Sequence, residues 1–106
     1  MSLNNIQVID AVGTDNSDGT VVLSIIDSWD WRDEQLHIRA LQEKLNAYFG
    51  FVESGQIYEF YPDANGKDLR VDIVSKFPIP KVGLIFLEKA STTAAQLKMR
   101  LHHRVH

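Results

Sequence analysis

The sequence predicts an α+β fold, a two-layer sandwich with element order β-β-α-β-α-β, in which two main helices cover one face of a four-stranded sheet. Three observations predict it. Trp31 to Gly55 carries a long helical periodicity. Short alternating or β-branched runs stand at residues 6–12, 20–27, 68–77 and 97–105, most of them with one polar face. A length of 106 residues leaves room for one hydrophobic core, so residues 1–106 are read as a single domain.

The elements follow in order. Ile6 to Val12 is a short strand, and Gly13 to Gly19 is a loop dense in turn formers. Asp10 lies within that strand, so it is expected on an exposed face or sheet edge, because an unpaired buried carboxylate is costly. Thr20 to Asp27 is the strongest strand. Val21, Leu23 and Ile25 share one face, and Val22 and Ile26 the other, which marks an interior strand or one with a partly covered second face.

Ser28 to Asp30 leads into the long helix. Ile38, Leu41, Leu45, Tyr48 and Val52 recur at steps of 3, 4, 3 and 4 and form its apolar stripe, flanked by Phe49 and Phe51. Gln42, Glu43, Lys44, Asn46 and Glu53 fall on the solvated side. Asp30 or Ser28 caps the start, Asp33 and Glu34 suit the first turn, and Gly55 is the stop. Trp29 and Trp31 bracket Asp30 as lids on the core or, alternatively, as aromatic anchors for a protein partner.

Gln56 to Tyr61 is expected as a short helical turn at the end of the main helix, with an extended arm as the alternative, and residues 62–66 as a turn. Asp68 to Phe77 is a third strand, with Leu69, Val71 and Ile73 on one face and Arg70, Asp72 and Val74 on a mostly polar outer face. Pro78 and Pro80 end it, and Pro80 opens a helix over Lys81–Gln96 whose stripe is Val82, Ile85, Phe86 and Ala90. Leu97 to Val105 alternates strictly. Leu97, Met99, Leu101, His103 and Val105 share one face; Lys98, Arg100, His102 and Arg104 make the other face basic. A strand is favoured over a continuation of the helix.

The composition, 44% hydrophobic and 24% charged, is that of a globular chain. The absence of cysteine excludes disulfides and thiolate metal sites. No apolar run approaches the roughly 18 residues of a membrane span, and the N-terminal MSLNNIQVID lacks the pattern of a signal peptide, so a cytoplasmic protein without membrane attachment is expected. The net charge of −3 is unevenly spread: residues 1–67 carry 11 acids and 4 bases, residues 68–106 carry 3 acids and 7 bases. A mildly acidic chain argues against nucleic-acid binding, and its acidic part is fit to meet a basic partner.

The densest polar cluster is Asp27, Asp30, Asp33, Glu34 and His37. Asp33 and His37 are four residues apart and share a helix face, where carboxylates and an imidazole can hold a metal. The spacing matches no strong metal motif, and acids at a helix N-terminus also complement its dipole. His102 and His103 are adjacent on a strand and point to opposite faces, which disfavours joint ligation. Ser24, Ser54 and Ser75 stand in no nucleophile motif. Gly13 and Gly19 flank an acidic loop that repels phosphate, and Tyr58, Phe60 and Tyr61 are read as packing residues. No catalytic residue, metal or cofactor is assigned.

A longer pattern runs through Val8-Ile9-Asp10, Val21-Val22-Leu23, and Trp31 with Asp33, Glu34 and His37. It continues through residues 41–48 (LQEKLNAY), 51–56 (FVESGQ), 61–67 (YPDANGK) and 86–90 (FLEKA). In these residues the chain resembles a family of small uncharacterised bacterial proteins, a domain of unknown function. The resemblance implies no catalytic residue.

The function expected from these features is that of a non-enzymatic protein-binding domain, in its most concrete form an immunity protein neutralising a basic toxin domain. Asp27, Trp29, Asp30, Trp31, Asp33 and Glu34 are the expected contact residues. One alternative is a self-associating structural or regulatory module, a homodimer paired through an uncovered edge strand. A second is a small metal-dependent hydrolase using Asp33 and His37.

Overall fold

The computed structural model describes residues 2–106; Met1 lies outside them. The strands are β1 (Ala11–Thr14), β2 (Val21–Asp27), β3 (Leu69–Ser75) and β4 (Met99–Val105). The helices are α1 (Glu34–Glu53), α2 (Gln56–Phe60) and α3 (Lys81–Gln96). The sheet order is β1-β2-β3-β4, with β1 antiparallel to β2 and the other neighbours parallel. The expected order and the four-stranded α+β layout are therefore present, and β2 is the interior strand its two apolar faces implied.

One side of the sheet carries the core. Val21, Leu23 and Ile25 of β2 and Leu69, Val71 and Ile73 of β3 meet Leu41, Leu45, Tyr48 and Val52 of α1 and Leu87 and Ala94 of α3. Among the described residues no helix lies over the opposite face. There the register aligns Val22, Arg70 and Arg100 in one row, Ser24, Asp72 and His102 in the next, and Ile26, Val74 and Arg104 in a third. The outer face of β3 is polar, as alternation implied, but Asp72 is buried, bridged by Arg70 at 2.7 Å and by Arg104 at 3.7 Å. The hydrogen bond that Arg70 donates to Asp72 is the main cause that raises Arg70 above the ordinary arginine value.

The first strand is displaced from the expected run of Ile6 to Val12: it covers Ala11–Thr14 and takes in Gly13 and Thr14, both expected in the loop. Asp10 precedes β1, and its carboxylate accepts the Ile26 N–H at 2.9 Å. This side chain takes over where the ladder stops at the Ala11–Ser24 pair. Asp10 adjoins the edge strand β1, one of its two expected settings, but its side chain is only 4% exposed, which corrects the exposed-face alternative. The loop after β1 is closed by the Asp15 N–H to the Thr20 carbonyl at 2.7 Å, with Gly19 at a φ of +78°.

Helix α1 starts later than the Trp31 onset expected. Asp33 is its cap, accepting the Leu36 N–H at 3.1 Å; neither Asp30 nor Ser28 fills that role. It stops as expected at Gly55, whose φ of +83° redirects the chain into α2. Helix α2 is the helical alternative for residues 56–61. Helix α3 has the expected bounds, but its buried residues are Gly83, Leu87 and Ala94, while Val82 and Ile85 are 40% and 46% exposed. Of the expected stripe, Phe86 and Ala90 pack against the core, whereas Val82 and Ile85 give way to Gly83, Leu87 and Ala94. Gly83 explains it: a Cβ there would stand 2.8 Å from the Trp31 ring, so the helix approaches Trp31 by omitting a side chain. Residues 99–105 form the strand β4, not a helical extension.

Candidate functional site

The cluster read from the sequence around the start of α1 is divided by the structure into a buried pair and an exposed rim. Asp27 ends β2 on the core face, in the same alternation as Leu23 and Ile25. His37 lies one turn into α1 and points back at it. The His37 Nε2 and Asp27 Oδ2 are 2.5 Å apart, and 1% of each side chain is exposed. The other ring nitrogen, Nδ1, is 2.9 Å from the Asp30 carbonyl oxygen, which only accepts, so Nδ1 is the donor. Asp27 Oδ1 accepts the Trp29 N–H at 3.1 Å.

Both indoles close on this pair. Trp31 stacks on the His37 ring at 3.7 Å, and Trp29 meets its edge at 5.7 Å. The Trp residues are half-buried lids, and they serve the histidine as much as the apolar core. With both nitrogens engaged and the ring sealed, His37 is placed to hold the loop between β2 and α1 rather than to exchange protons with a substrate.

The rim is the part that faces outward. Asp30 accepts the Arg32 N–H at 3.1 Å and leaves 47% of its side chain exposed, and Asp33 and Glu34 are also exposed. Leu36 is 52% exposed. Ser28, Trp29, Asp30, Arg32, Asp33 and Leu36 line an open hollow of about 450 Å³. Of the six expected contact residues, Trp29, Asp30, Trp31, Asp33 and Glu34 lie at or beside this surface. Asp27 does not; it is buried beneath it, and its place on the contact list is corrected. Asp33 and His37 do not form a joint site either, since the Asp33 side chain caps the helix while His37 turns inward to Asp27. Among the described residues, no three histidine or carboxylate side chains gather into a metal-holding group.

A second buried network went unread in the sequence. Lys44, placed there on the solvated side, is 0% exposed. Its ammonium donates to the Asn5 and Val8 carbonyls, each at 2.6 Å, and to Asp10 Oδ1 at 3.1 Å. The Tyr48 hydroxyl donates to the Ser24 carbonyl at 2.5 Å and accepts the Asp10 N–H at 2.8 Å. Burial, reinforced by the nearby Asp10 charge, pushes the Tyr48 phenol well above its ordinary value of 10.0. The signal was present in the spacing: Lys44 lies three residues after Leu41 and four before Tyr48, on the stripe itself. This network ties the segment before β1 onto α1 and β2.

Among the described residues no helix is long and apolar enough to cross a membrane. No curated protein and no solved structure matches the chain. Residues 1–106 match the family described as "Family of unknown function (DUF6572)", so the match includes the tail after Ala90, where the resemblance seen in the sequence ended. The chain therefore belongs to this family of unknown function.

Proposed function

We propose that the protein is a non-enzymatic binding domain whose contact surface is the loop between β2 and α1 with the first turn of that helix. The observation that carries the reading is the buried Asp27–His37 pair beneath an exposed loop. Burying two ionisable groups is costly unless they are paired and hydrogen-bonded. Here the pairing fixes the Asp30 carbonyl and the Trp29 N–H, so it pre-orders the surface that carries Trp29, Asp30, Asp33, Glu34 and Leu36. A pre-ordered loop loses less entropy on association. The exposed carboxylates and the acidic balance of residues 1–67 select a basic partner. A bacterial, cytoplasmic immunity protein that neutralises a basic toxin domain is the concrete form of this proposal.

The test is capture from the native host on immobilised wild-type protein and on a D30K/E34K variant, followed by association kinetics with the captured partner. The proposal expects a basic partner that associates about tenfold or more slowly with the variant, with weaker salt dependence. Equal association with both proteins would remove the acidic surface from the explanation. A toxin domain as the partner would support the immunity role, and a partner without toxic activity would overturn that role while leaving the surface in place.

A further inference from the structure

At the other end of the sheet, β4 has a neighbour on one side only. The His106 N–H donates to the Ser75 carbonyl at 2.8 Å, so the even-numbered amides of β4 point at β3. The N–H groups of Leu101, His103 and Val105 then point away from the sheet, along a free edge. Such an edge accepts an added strand unless something blocks it.

The side chains along this edge state what kind of strand fits. On the open face stand Arg100, His102 and Arg104, of which Arg104 has 63% of its side chain exposed. Residues 97–106 include Lys98, Arg100, Arg104 and three histidines, and no acid. On the helix face, a hollow of about 340 Å³ is lined by Leu84, Leu87, Glu88, Ser91, Leu101 and His103. Leu84 is 42% exposed there. The edge is therefore basic on one face and has on the other a notch of mixed character, with Leu84, Leu87 and Leu101 beside Glu88, Ser91 and His103.

A second copy of the chain is the wrong occupant. Two β4 strands paired about a two-fold axis keep a common face, so even positions oppose even positions. Arg100, His102 and Arg104 would then meet the same residues of the other copy, and like charges opposed across a strand pair are destabilising. We propose that the free edge of β4 docks an extended segment of a partner protein that carries acidic side chains on the open face, its alternate side chains resting against Leu84 and Leu101 on the helix face. This is strand addition, in which main-chain bonds supply affinity and alternate side chains supply selectivity. It is independent of the surface at the start of α1.

The test uses fluorophore-labelled, end-capped peptides of alternating Glu and Val, with a Lys and Val counterpart, read by anisotropy and by amide exchange in the protein. The Glu–Val peptide should bind at least about tenfold tighter than the Lys–Val peptide, and the Leu101, His103 and Val105 amides should exchange about tenfold more slowly when it is bound. N-methylation of the peptide at every second residue should abolish binding in one register and spare it in the other. R104E should weaken the Glu–Val peptide about tenfold, and D30K/E34K should leave it unchanged. Equal binding of the two peptides, unchanged exchange at the three amides, or indifference to N-methylation in both registers would overturn the proposal. So would protection of the same amides without peptide as protein concentration rises, which would identify a second copy as the occupant.

Discussion

The Asp27 carboxylate and the His37 imidazole meet across the junction of β2 and α1, 2.5 Å apart and withdrawn from solvent. The pair joins the end of a central strand to the first turns of the longest helix, and the two tryptophans enclose it. D27A leaves the ring without its charged acceptor in a buried setting and frees the Trp29 N–H. The expected cost is about 3 kcal/mol of stability. Urea unfolding measures it, and the near-UV circular dichroism of Trp31 should change with it, since its ring stacks on His37.

Lys44 and Asp10 form a second buried pair, and they should behave as a unit. K44M leaves Asp10 unpaired and strips two carbonyls of their donor, for a loss of about 3 kcal/mol. D10N alone removes the carboxylate that faces the ammonium. The double variant should cost less than the sum of the two single changes by about 1 kcal/mol or more. Additive losses in a denaturation cycle would show that the two groups act separately.

Gly83 is required by proximity rather than by backbone angle. In G83A the new methyl would lie 2.6 Å from Ile79 Cγ2 and 2.8 Å from the Trp31 ring. A loss of about 1–3 kcal/mol is expected, in spite of alanine's better helix propensity. Thermal unfolding measures it; a neutral or stabilising result would mean that α3 can slide away from Trp31.

The loop after β1 should respond to acid. The Ser17 hydroxyl and N–H hold Asp15 below its ordinary value of 3.8, and the Thr20 N–H does the same for Asp18. Both folded values are depressed, so the stabilisation is fully present above the unfolded value and is lost as pH falls through the lowered folded values. Carboxyl NMR titration should place both midpoints below 3.8, and S17A should raise that of Asp15.

Much of the fold was legible because it rests on periodicity. The strict alternation of residues 97–105 identified β4, and the paired prolines together with Gln96 bounded α3. The departures share a different origin: they fall where residue type alone is a poor guide to burial. Asp10, Lys44 and Asp27 are charged and were placed in solvent or on a surface, yet each is buried with a partner distant in sequence. Spacing along one element cannot announce a partner 34 residues away, as Asp10 is from Lys44. In α3 the bulky residues were assigned to the core by size, whereas close approach to Trp31 selected glycine. At the candidate site Asp30, Asp33 and Glu34 are exposed and the tryptophans half-buried, and the pair beneath them escapes a reading by helix spacing, which matches His37 with Asp33 on its own helix.

The order of strands across the sheet repeats their order along the chain, β1-β2-β3-β4. Each strand therefore docks on one already synthesised, and none must be inserted between two others. A chain emerging from the ribosome can complete three strands and α1 before β4 exists, and the last strand then closes over the flank of β3. Such an accretive order still has to close long loops, since the parallel pairings join Val21 to Leu69 and Leu69 to Met99, and these slow folding. It also leaves the final position in the sheet as the one where growth simply stops.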